Sequence, residues 1–231
     1  MPAVLVLRPE PANTQTCRAA RTMGLDAHAA PLFTYAPRRW VLPPVRFDGL
    51  LIGSAAVLGL GGAQLTALHL LPVLAVGAAT ARAARAAGFT VVATGTGGMQ
   101  PLADRLPPGR YLRLTGEAHV ALTAPEGAEI EDVVVYAAEP QPLSDEASAL
   151  ISQGEALALL HSAEAARHFG QECDSRALPR NTIALACLGP RIAEAAGPGW
   201  KKVGIAAHPA NEAVLSLAGQ MCQTVWPRGH G

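Results

Sequence analysis

The chain has 231 residues, of which 50% are hydrophobic and 16% are charged. This composition supports a large buried core and excludes a disordered protein. Eighteen basic and eighteen acidic residues leave no formal net charge, so the basic surface of a nucleic-acid-binding protein is not expected. The sequence contains no run of about 18 apolar residues and no signal-peptide pattern at its start. We therefore expect a cytoplasmic protein without a membrane partner.

Two short halves of the chain resemble each other. The chain opens with an apolar strand at 4–10, which is followed by a second strand ending at Tyr35. The same pair recurs as a strand at 111–117 and a strand ending at Tyr136.

Two longer halves also share one order of elements. The first spans 48–93 and the second spans 156–206, and each runs strand, helix, strand, glycine, helix, strand. The matching landmarks, separated by roughly 110 residues, are Ser54 with Ser162 and Gly77 with Gly189. This spacing is far longer than a solenoid repeat, and it predicts two homologous domains.

Proline-bearing stretches at 37–44 and 137–142 follow the two tyrosines, and we interpret them as connectors with extended backbone that makes few ladder hydrogen bonds. Only a tight turn separates the first long half from the second short half. This predicts a continuous domain over 45–136 and a discontinuous domain made of 1–36 and 143–231, although a sequential pairing of the halves also satisfies the repeat. Because the strands are almost uniformly apolar, we expect an α/β fold of two similar domains, each a parallel sheet flanked by helices.

Cysteine and histidine spacing gives no sign of a metal site. Neither a disulfide framework nor a zinc site is indicated by the four widely separated cysteines, and we expect them to be buried thiols: Cys17, Cys173, Cys187 and Cys222. Five histidines also lack ligand spacing, and solvated or capping roles are expected for them: His69, His119, His161, His168 and His208. The glycine run at 94–98 precedes a predicted helix at 99–106, and its backbone N–H groups are of a kind that can bind an anion. Because it lacks the lysine of a phosphate-binding loop, we interpret it as a turn.

Taken together, several segments resemble the uroporphyrinogen-III synthase family in their order and spacing. They are the opening at 4–9, Pro31-Leu32, the strand at 47–54, the segment at 75–81, the strand at 133–136, His161-Ser162 and Gly189-Pro190. The resemblance covers nearly the whole chain. It implies two α/β domains joined by a two-stranded connector, the first of them discontinuous.

The resemblance also implies an activity. Members close hydroxymethylbilane, a linear tetrapyrrole with eight carboxylates, to uroporphyrinogen III with inversion of ring D and loss of water. The chain is then a cyclising hydro-lyase of haem biosynthesis that needs no cofactor, and we expect a monomer. The rival interpretation is a cytoplasmic two-domain binding or sensor module that performs no chemistry.

Candidate binding residues follow the predicted strands at their carboxyl ends, where open α/β sheets bind ligands. They are Ser54, Thr80, Ser162 and Gly189. Serine or threonine at these positions also caps a helix, and capping and ligand contact both remain open. Helix N-termini favour carboxylates, and Arg8 and Arg191 are further candidates for binding them.

Tyr136 matches the family tyrosine at the end of the second strand of the continuous domain. The resemblance implies that its hydroxyl hydrogen-bonds the departing hydroxyl of the bilane, which leaves an azafulvene that ring D attacks to form a spiro intermediate. An interfacial aromatic with a solvated hydroxyl is the alternative. The chain departs from the family pattern at Gly53 and at Arg191-Ile192, where hydroxyl-bearing residues are common.

Overall fold

The computed structural model describes residues 1–226, in which short apolar runs form strands and the intervening segments form helices. In chain order the strands are β1 (Ala3–Val6), β2 (Ala27–Ala29), β3 (Phe33–Pro37), β4 (Gly49–Ile52), β5 (Val73–Val76), β6 (Val91–Gly95), β7 (Gly109–Gly116), β8 (Ala128–Pro140), β9 (Ala156–Leu160), β10 (Ile183–Cys187) and β11 (Lys202–Ile205). The α-helices are α1 (Ala12–Thr22), α2 (Ala56–Leu60), α3 (Ala78–Ala86), α4 (Gln100–Ala103), α5 (Asp145–Gln153), α6 (Ala163–Ser175), α7 (Pro190–Ala196) and α8 (Asn211–Thr224). Short 3₁₀ segments occur at Ala63–Leu68 and Arg180–Thr182.

The chain divides into two units. The split unit contains Met1–Thr34 and the chain from Pro140 onward, and the continuous unit contains Tyr35–Glu139. Each unit is a sheet flanked by helices, which confirms the α/β class predicted from the sequence.

In the split unit, a parallel sheet has the order β11-β10-β9-β1-β2. The side chains of β1, β9 and β10 are buried on both faces, because helices cover both sides, as is usual for parallel sheets. Helices α1 and α8 pack on the face formed by Val4, Val6, Leu157 and Leu159. On the other face, α6 contacts β9 and α7 contacts β10.

In the continuous unit, the strand order is β3-β8-β7-β4-β5-β6, and β8 to β6 run parallel. Side chains alternate between the two faces of a strand. On one face of β7, Leu112 and Leu114 join the core beneath α3. On the other face, Tyr111 packs with Leu51 and the residues around α4.

The two sheets share one topology once the chain order is allowed for. If the strands of the split unit are numbered 1 to 5 in chain order from β1, they lie in the order 2-1-3-4-5. If the strands of the continuous unit are numbered from β7 and β8 and then β4 to β6, they have the same order as a circular permutation, with β3 as an additional edge strand beside β8. In such sheets the strand order reverses between the first and third strands, and ligands bind outside the carboxyl ends at this point. The reversals lie between β1 and β9 and between β7 and β4.

The prediction of few ladder hydrogen bonds at 37–44 and 137–142 is wrong for both stretches, whereas their role as connectors stays a prediction. Strand β8 continues through Pro140 and pairs with β3, since a proline is tolerated at a strand end. After β3, the N–H of Arg38 still donates to the carbonyl of Val135 at 2.9 Å. Trp40 is buried in the core of the continuous unit, where its Nε1–H donates to the carbonyl of Gly61 at 2.8 Å.

Within residues 1–226, no helix combines the length and the apolar character needed to cross a membrane. The four cysteines are buried free thiols, as predicted. Burial raises the pKa of both Cys173 and Cys187 to about 12, so these thiols are inert at neutral pH.

Candidate active site

A pocket of about 550 Å³ lies at the carboxyl edge of the continuous unit, where the ends of β4 and β7 are neighbours. Ser54 follows β4 and Gly116 ends β7, and both line the pocket. Tyr136 of β8 forms another part of the wall. The structure therefore brings two sequence-predicted residues, Ser54 and Tyr136, into one pocket at the reversal of strand order.

Tyr136 is held in the pocket by contacts of its ring. The register between β7 and β8 shifts at this point, so that Tyr136 lies opposite Gly116. The ring crosses Gly116 so closely that a Cβ there would stand 2.7 Å from Cζ of Tyr136. Tyr35 meets the ring edge-to-face, with 5.1 Å between centroids. The phenol oxygen makes no hydrogen bond to any residue in the described range, so it is available to a ligand.

A glycine loop forms another part of the pocket wall. Gly97 and Gly98 have φ angles of 78° and 107°, a left-handed region that favours glycine. Their N–H groups donate to no residue of the part of the chain that the structure describes. The interpretation of 94–98 as a turn is correct only for 96–98, because Thr94 and Gly95 are the last residues of β6. Gly97 and Gly98 also line the pocket.

Three charged or titratable side chains form a network at the pocket. The sequence interpretation did not single out Arg113 and Asp132, and it expected a solvated or capping role for His119. Nη1 of Arg113 lies 3.3 Å from Oδ2 of Asp132, and Nε2 of His119 lies 3.2 Å from the same oxygen. Nδ1 of His119 lies 2.8 Å from the carbonyl oxygen of Gly116. Both ring nitrogens of His119 therefore face oxygen acceptors.

The segment 117–127, between β7 and β8, contributes to this pocket. Arg113 Nη1 donates to the carbonyl of Val120 at 2.9 Å. The Gln100 amide pairs with the backbone of Thr123, donating to its carbonyl at 2.9 Å and accepting from its N–H at 3.0 Å. These bonds fix the segment against the sheet and against α4.

A second group of polar side chains lies at the carboxyl edge of the split unit. Nη1 of Arg8 donates to Oγ1 of Thr16 and Oδ1 of Asn211, both at 3.2 Å. Nε2 of His161 lies 2.9 Å from the same Asn211 oxygen. Asn211 thus joins Arg8, a predicted site residue that follows β1, to His161, which follows β9.

Burial lowers the pKa of His161 to about 4, and the positive charge of Arg8 acts in the same direction. The imidazole is therefore neutral at physiological pH and donates its Nε2 hydrogen to Asn211. No sequence pattern marks Asn211 or Thr16 as members of this group.

Ser162, Gly189 and Arg191 line a smaller pocket of about 360 Å³ at the same edge of the split unit. Ser162 caps α6, its Oγ accepting from the N–H of Ala165 at 3.1 Å. Gly189 precedes α7 without a side-chain cap, and Arg191 is exposed. These three predicted residues share one surface.

Thr80 differs from the prediction. Gly77, rather than Thr80, precedes α3, and Thr80 lies in its first turn with only 7% of its surface exposed. Thr80 does not line the pocket of Tyr136. Its hydroxyl therefore neither caps the helix nor reaches that pocket.

Ser54 accepts from the N–H of Ala56 at 3.2 Å, which closes a turn just before α2.

Among residues 1–226, no group of three or more histidine, cysteine, aspartate or glutamate side chains is placed to hold a metal ion.

Known proteins resemble the chain over most of its length. The sequence profile of a family described as uroporphyrinogen-III synthase HemD matches residues 15–216. Curated protein sequences give no significant match.

Solved structures resemble the fold. The uroporphyrinogen-III synthetase of Helicobacter pylori is 17% identical, with 96% of this chain and 100% of that chain covered and a TM-score of 0.63. The wild-type uroporphyrinogen III synthase of Thermus thermophilus is 18% identical, with coverages of 96% and 98% and a TM-score of 0.43. The Helicobacter structure supports the fold alone, and the family assignment rests on the profile.

Proposed function

Because the chain belongs to the uroporphyrinogen-III synthase family and cyclises hydroxymethylbilane to uroporphyrinogen III, we propose that the reacting end of the bilane binds in the pocket of Tyr136. The observation that carries this proposal is the phenol oxygen of Tyr136. It lines a pocket at the reversal of strand order and has no partner among residues 1–226. Open α/β sheets bind their ligands at this position.

Tyr136 assists the departure of the terminal hydroxyl group. As the carbon–oxygen bond of the hydroxymethyl group breaks, the phenol donates a hydrogen bond to the departing oxygen. This oxygen leaves as water, and the pyrrole nitrogen gives up its N–H proton to balance the loss. The loss of water produces the azafulvene, which ring D then attacks at its substituted carbon. The fixed ring of Tyr136 places the donor before the reaction begins.

The carboxylates of the substrate bind backbone N–H groups and small hydroxyl groups. In the pocket, Gly97 and Gly98 offer N–H groups without an internal partner, and Ser54 offers a hydroxyl. At the split unit, Ser162 and Gly189 begin helices, whose N-terminal N–H groups attract anions. Arg191 and Arg8 add positive charge at this edge. A chain with no net charge can thereby hold an octacarboxylate.

Oligomeric state and location belong to the same proposal. A monomer in the cytoplasm, with neither a nucleic acid nor a membrane as partner, fits a neutral chain that acts on a small molecule. Light scattering on purified protein, with and without product, measures the mass directly.

Replacing Tyr136 by phenylalanine tests the proposed role of the phenol. The substitution keeps the ring contacts with Tyr35 and Gly116 and removes only the hydroxyl. General-acid assistance is typically worth 10²- to 10⁴-fold, but this substrate also loses water unaided, so we expect a fall in kcat of roughly tenfold or more. The product remains mainly isomer III and the melting temperature is unchanged. Wild-type kcat in the folded variant contradicts the role of the phenol.

A further inference from the structure

Arg113 lies where the sheet otherwise holds apolar side chains. It is the fifth residue of β7, a strand paired on both sides, opposite Leu51 of β4 and Asp132 of β8. In the matching short half, the equivalent third residue of the strand segment is Val6, which is fully buried. The continuous unit therefore has a charge at a position where its counterpart has a core side chain.

The guanidinium group of Arg113 is only partly used by the protein. Its side chain is 9% exposed, and Nη1 makes both contacts of the group, with Asp132 and with the carbonyl of Val120. Within residues 1–226, Nε and Nη2 donate to no acceptor. A buried arginine normally uses its several N–H donors, and Arg113 lines the pocket of Tyr136.

Sheet stability does not account for this arrangement. A buried ion pair gains little net stability, because removing the charges from water offsets their attraction. Moreover, Arg110 and Glu129 already form a cross-strand pair in the same two strands, with Nη2 to Oε2 at 2.8 Å on the exposed part of the sheet. The pair at Arg113 is the buried one, and it lies at the pocket.

We propose that Arg113 binds one carboxylate of the bilane through Nε and Nη2, and that Asp132 and His119 are positioning residues for it. This proposal rests on the proposed function, because it requires the bilane in the pocket of Tyr136. The two unused donors present the planar fork that matches a carboxylate. Asp132 holds Nη1 on the far side, and His119, which contacts the same oxygen, fixes the carboxylate of Asp132.

The test is the double variant Arg113→Met/Asp132→Asn, which removes both charges together and leaves no unpaired buried ion. Its matched control is Arg110→Met/Glu129→Gln, which removes the neighbouring pair of the same strands. Both proteins, with the wild type, are assayed on freshly generated hydroxymethylbilane for KM, kcat and isomer ratio at low and high salt. Melting temperatures report folding.

We expect KM to rise roughly tenfold or more in the Arg113 double variant, since a charge-assisted bidentate contact is lost. kcat stays within about twofold, isomer III remains the main product, and KM depends less on salt than in the wild type. The control keeps the KM of the wild type. A KM within about twofold of the wild type in the folded double variant overturns the proposal.

If the double variant does not fold, the KM of Arg113→Lys tests the proposal instead. Lysine keeps the ion pair with Asp132 but lacks the two parallel N–H donors of the guanidinium group. A raised KM in Arg113→Lys supports the proposal, and an unchanged KM overturns it. Failure of the proposed function looks different: the wild type would then produce no isomer III, or Tyr136→Phe would retain full kcat. Neither of these two results depends on the KM of the Arg113 variants.

Discussion

The side chain of Tyr136 is oriented by its ring rather than by its hydroxyl. Tyr35 and Gly116 contact the ring, whereas the oxygen has no partner in the described part of the chain. A donor that must act on a departing group benefits from this arrangement, because no internal hydrogen bond has to break first.

Gly116→Ala tests whether the position of the ring matters. The new Cβ would stand 2.7 Å from Cζ and 3.0 Å from the phenol oxygen of Tyr136, so the ring must move. Misplacing a reacting group by about 1 Å can cost 10²-fold, and we expect kcat to fall roughly 10- to 100-fold. Gly59→Ala is the control, since no atom lies within 4 Å of its new Cβ. Equal kcat values for the two variants would show that the ring position is unimportant.

His161 makes the stability of the split unit depend on pH. Its pKa falls from an ordinary 6.5 to about 4 on folding, so the folded state disfavours the protonated form. Above about pH 6.5 the imidazole is neutral in both states, and the free energy of unfolding is not reduced. As the pH falls towards 4, the unfolded state gains a proton that the folded state does not, and the free energy of unfolding falls by on the order of 3 kcal/mol.

Urea unfolding of the wild type and His161→Gln at several pH values between 7 and 4 measures this effect. Glutamine retains an N–H donor for Asn211 but does not titrate. We expect the wild type to lose more stability on acidification than the variant does. Parallel pH profiles would show that protonation of His161 is not the cause.

Residues differ in how far the sequence alone could predict their roles. The shared pocket of Tyr136 and Ser54 was predictable, because the sequence places Tyr136 at the end of a strand and Ser54 just after one, and the carboxyl ends of parallel strands share one edge. Thr80 fits the same pattern, yet the turn of α3 directs it into the interior. Arg113 was missed, although the repeat aligns it with Val6, because pairing it with Asp132 requires the register of β7 on β8.

At the scale of the element, two serine-capped helices offer a comparison. Ser162 Oγ accepts from the N–H of Ala165 at 3.1 Å, and Ser144 Oγ accepts from the N–H of Ala147 at 3.2 Å. Both therefore satisfy a free N–H group in the first turn of a helix. Ser162 also lines the smaller pocket of the split unit.

Alanine at each serine separates capping from substrate contact. We expect Ser162→Ala and Ser144→Ala each to lower the free energy of unfolding by about 1 kcal/mol. Ser162→Ala should also raise the KM for hydroxymethylbilane by a few-fold, while Ser144→Ala leaves it unchanged. Denaturant unfolding and steady-state kinetics provide the two values. If KM is the same in both variants, Ser162 serves only as a cap.

Element positions followed from the sequence more closely than element lengths. The predicted helix at 99–106 shortens to Gln100–Ala103, since Pro107 and Pro108 follow it and disfavour helical backbone before them. The predicted connectors are partly strand and partly core, because burial of Trp40 and pairing of β3 with β8 outweigh the proline signals. Proline content alone does not report these tertiary contacts.

Across the whole molecule, the internal repeat explains why two similar α/β units were predictable, although it left the pairing of the halves open. Five strands of each sheet have the order 2-1-3-4-5, one set circularly permuted, so that two come from a short half and three from a long half. The exception is β3, which follows the first short half's two strands in the chain but joins the edge of the other sheet beside β8. The repeat fixes where the carboxyl edges lie. It does not tell which of the two edges binds the reacting atoms of the substrate. The two pockets differ in side chains that have no counterpart in the other half of the repeat, such as Tyr136 in one and Arg191 in the other.

The identity of the product is the sharpest test of the cyclase activity. The protein is incubated with freshly generated hydroxymethylbilane, and the oxidised porphyrins are separated by chromatography against a reaction without protein. Unaided closure produces isomer I, so an enzyme that controls the conformation of the bilane must change the product and not only the rate. We predict a large excess of isomer III. If the protein binds the bilane and isomer I is the sole product, the protein is a binding module and not a uroporphyrinogen-III synthase.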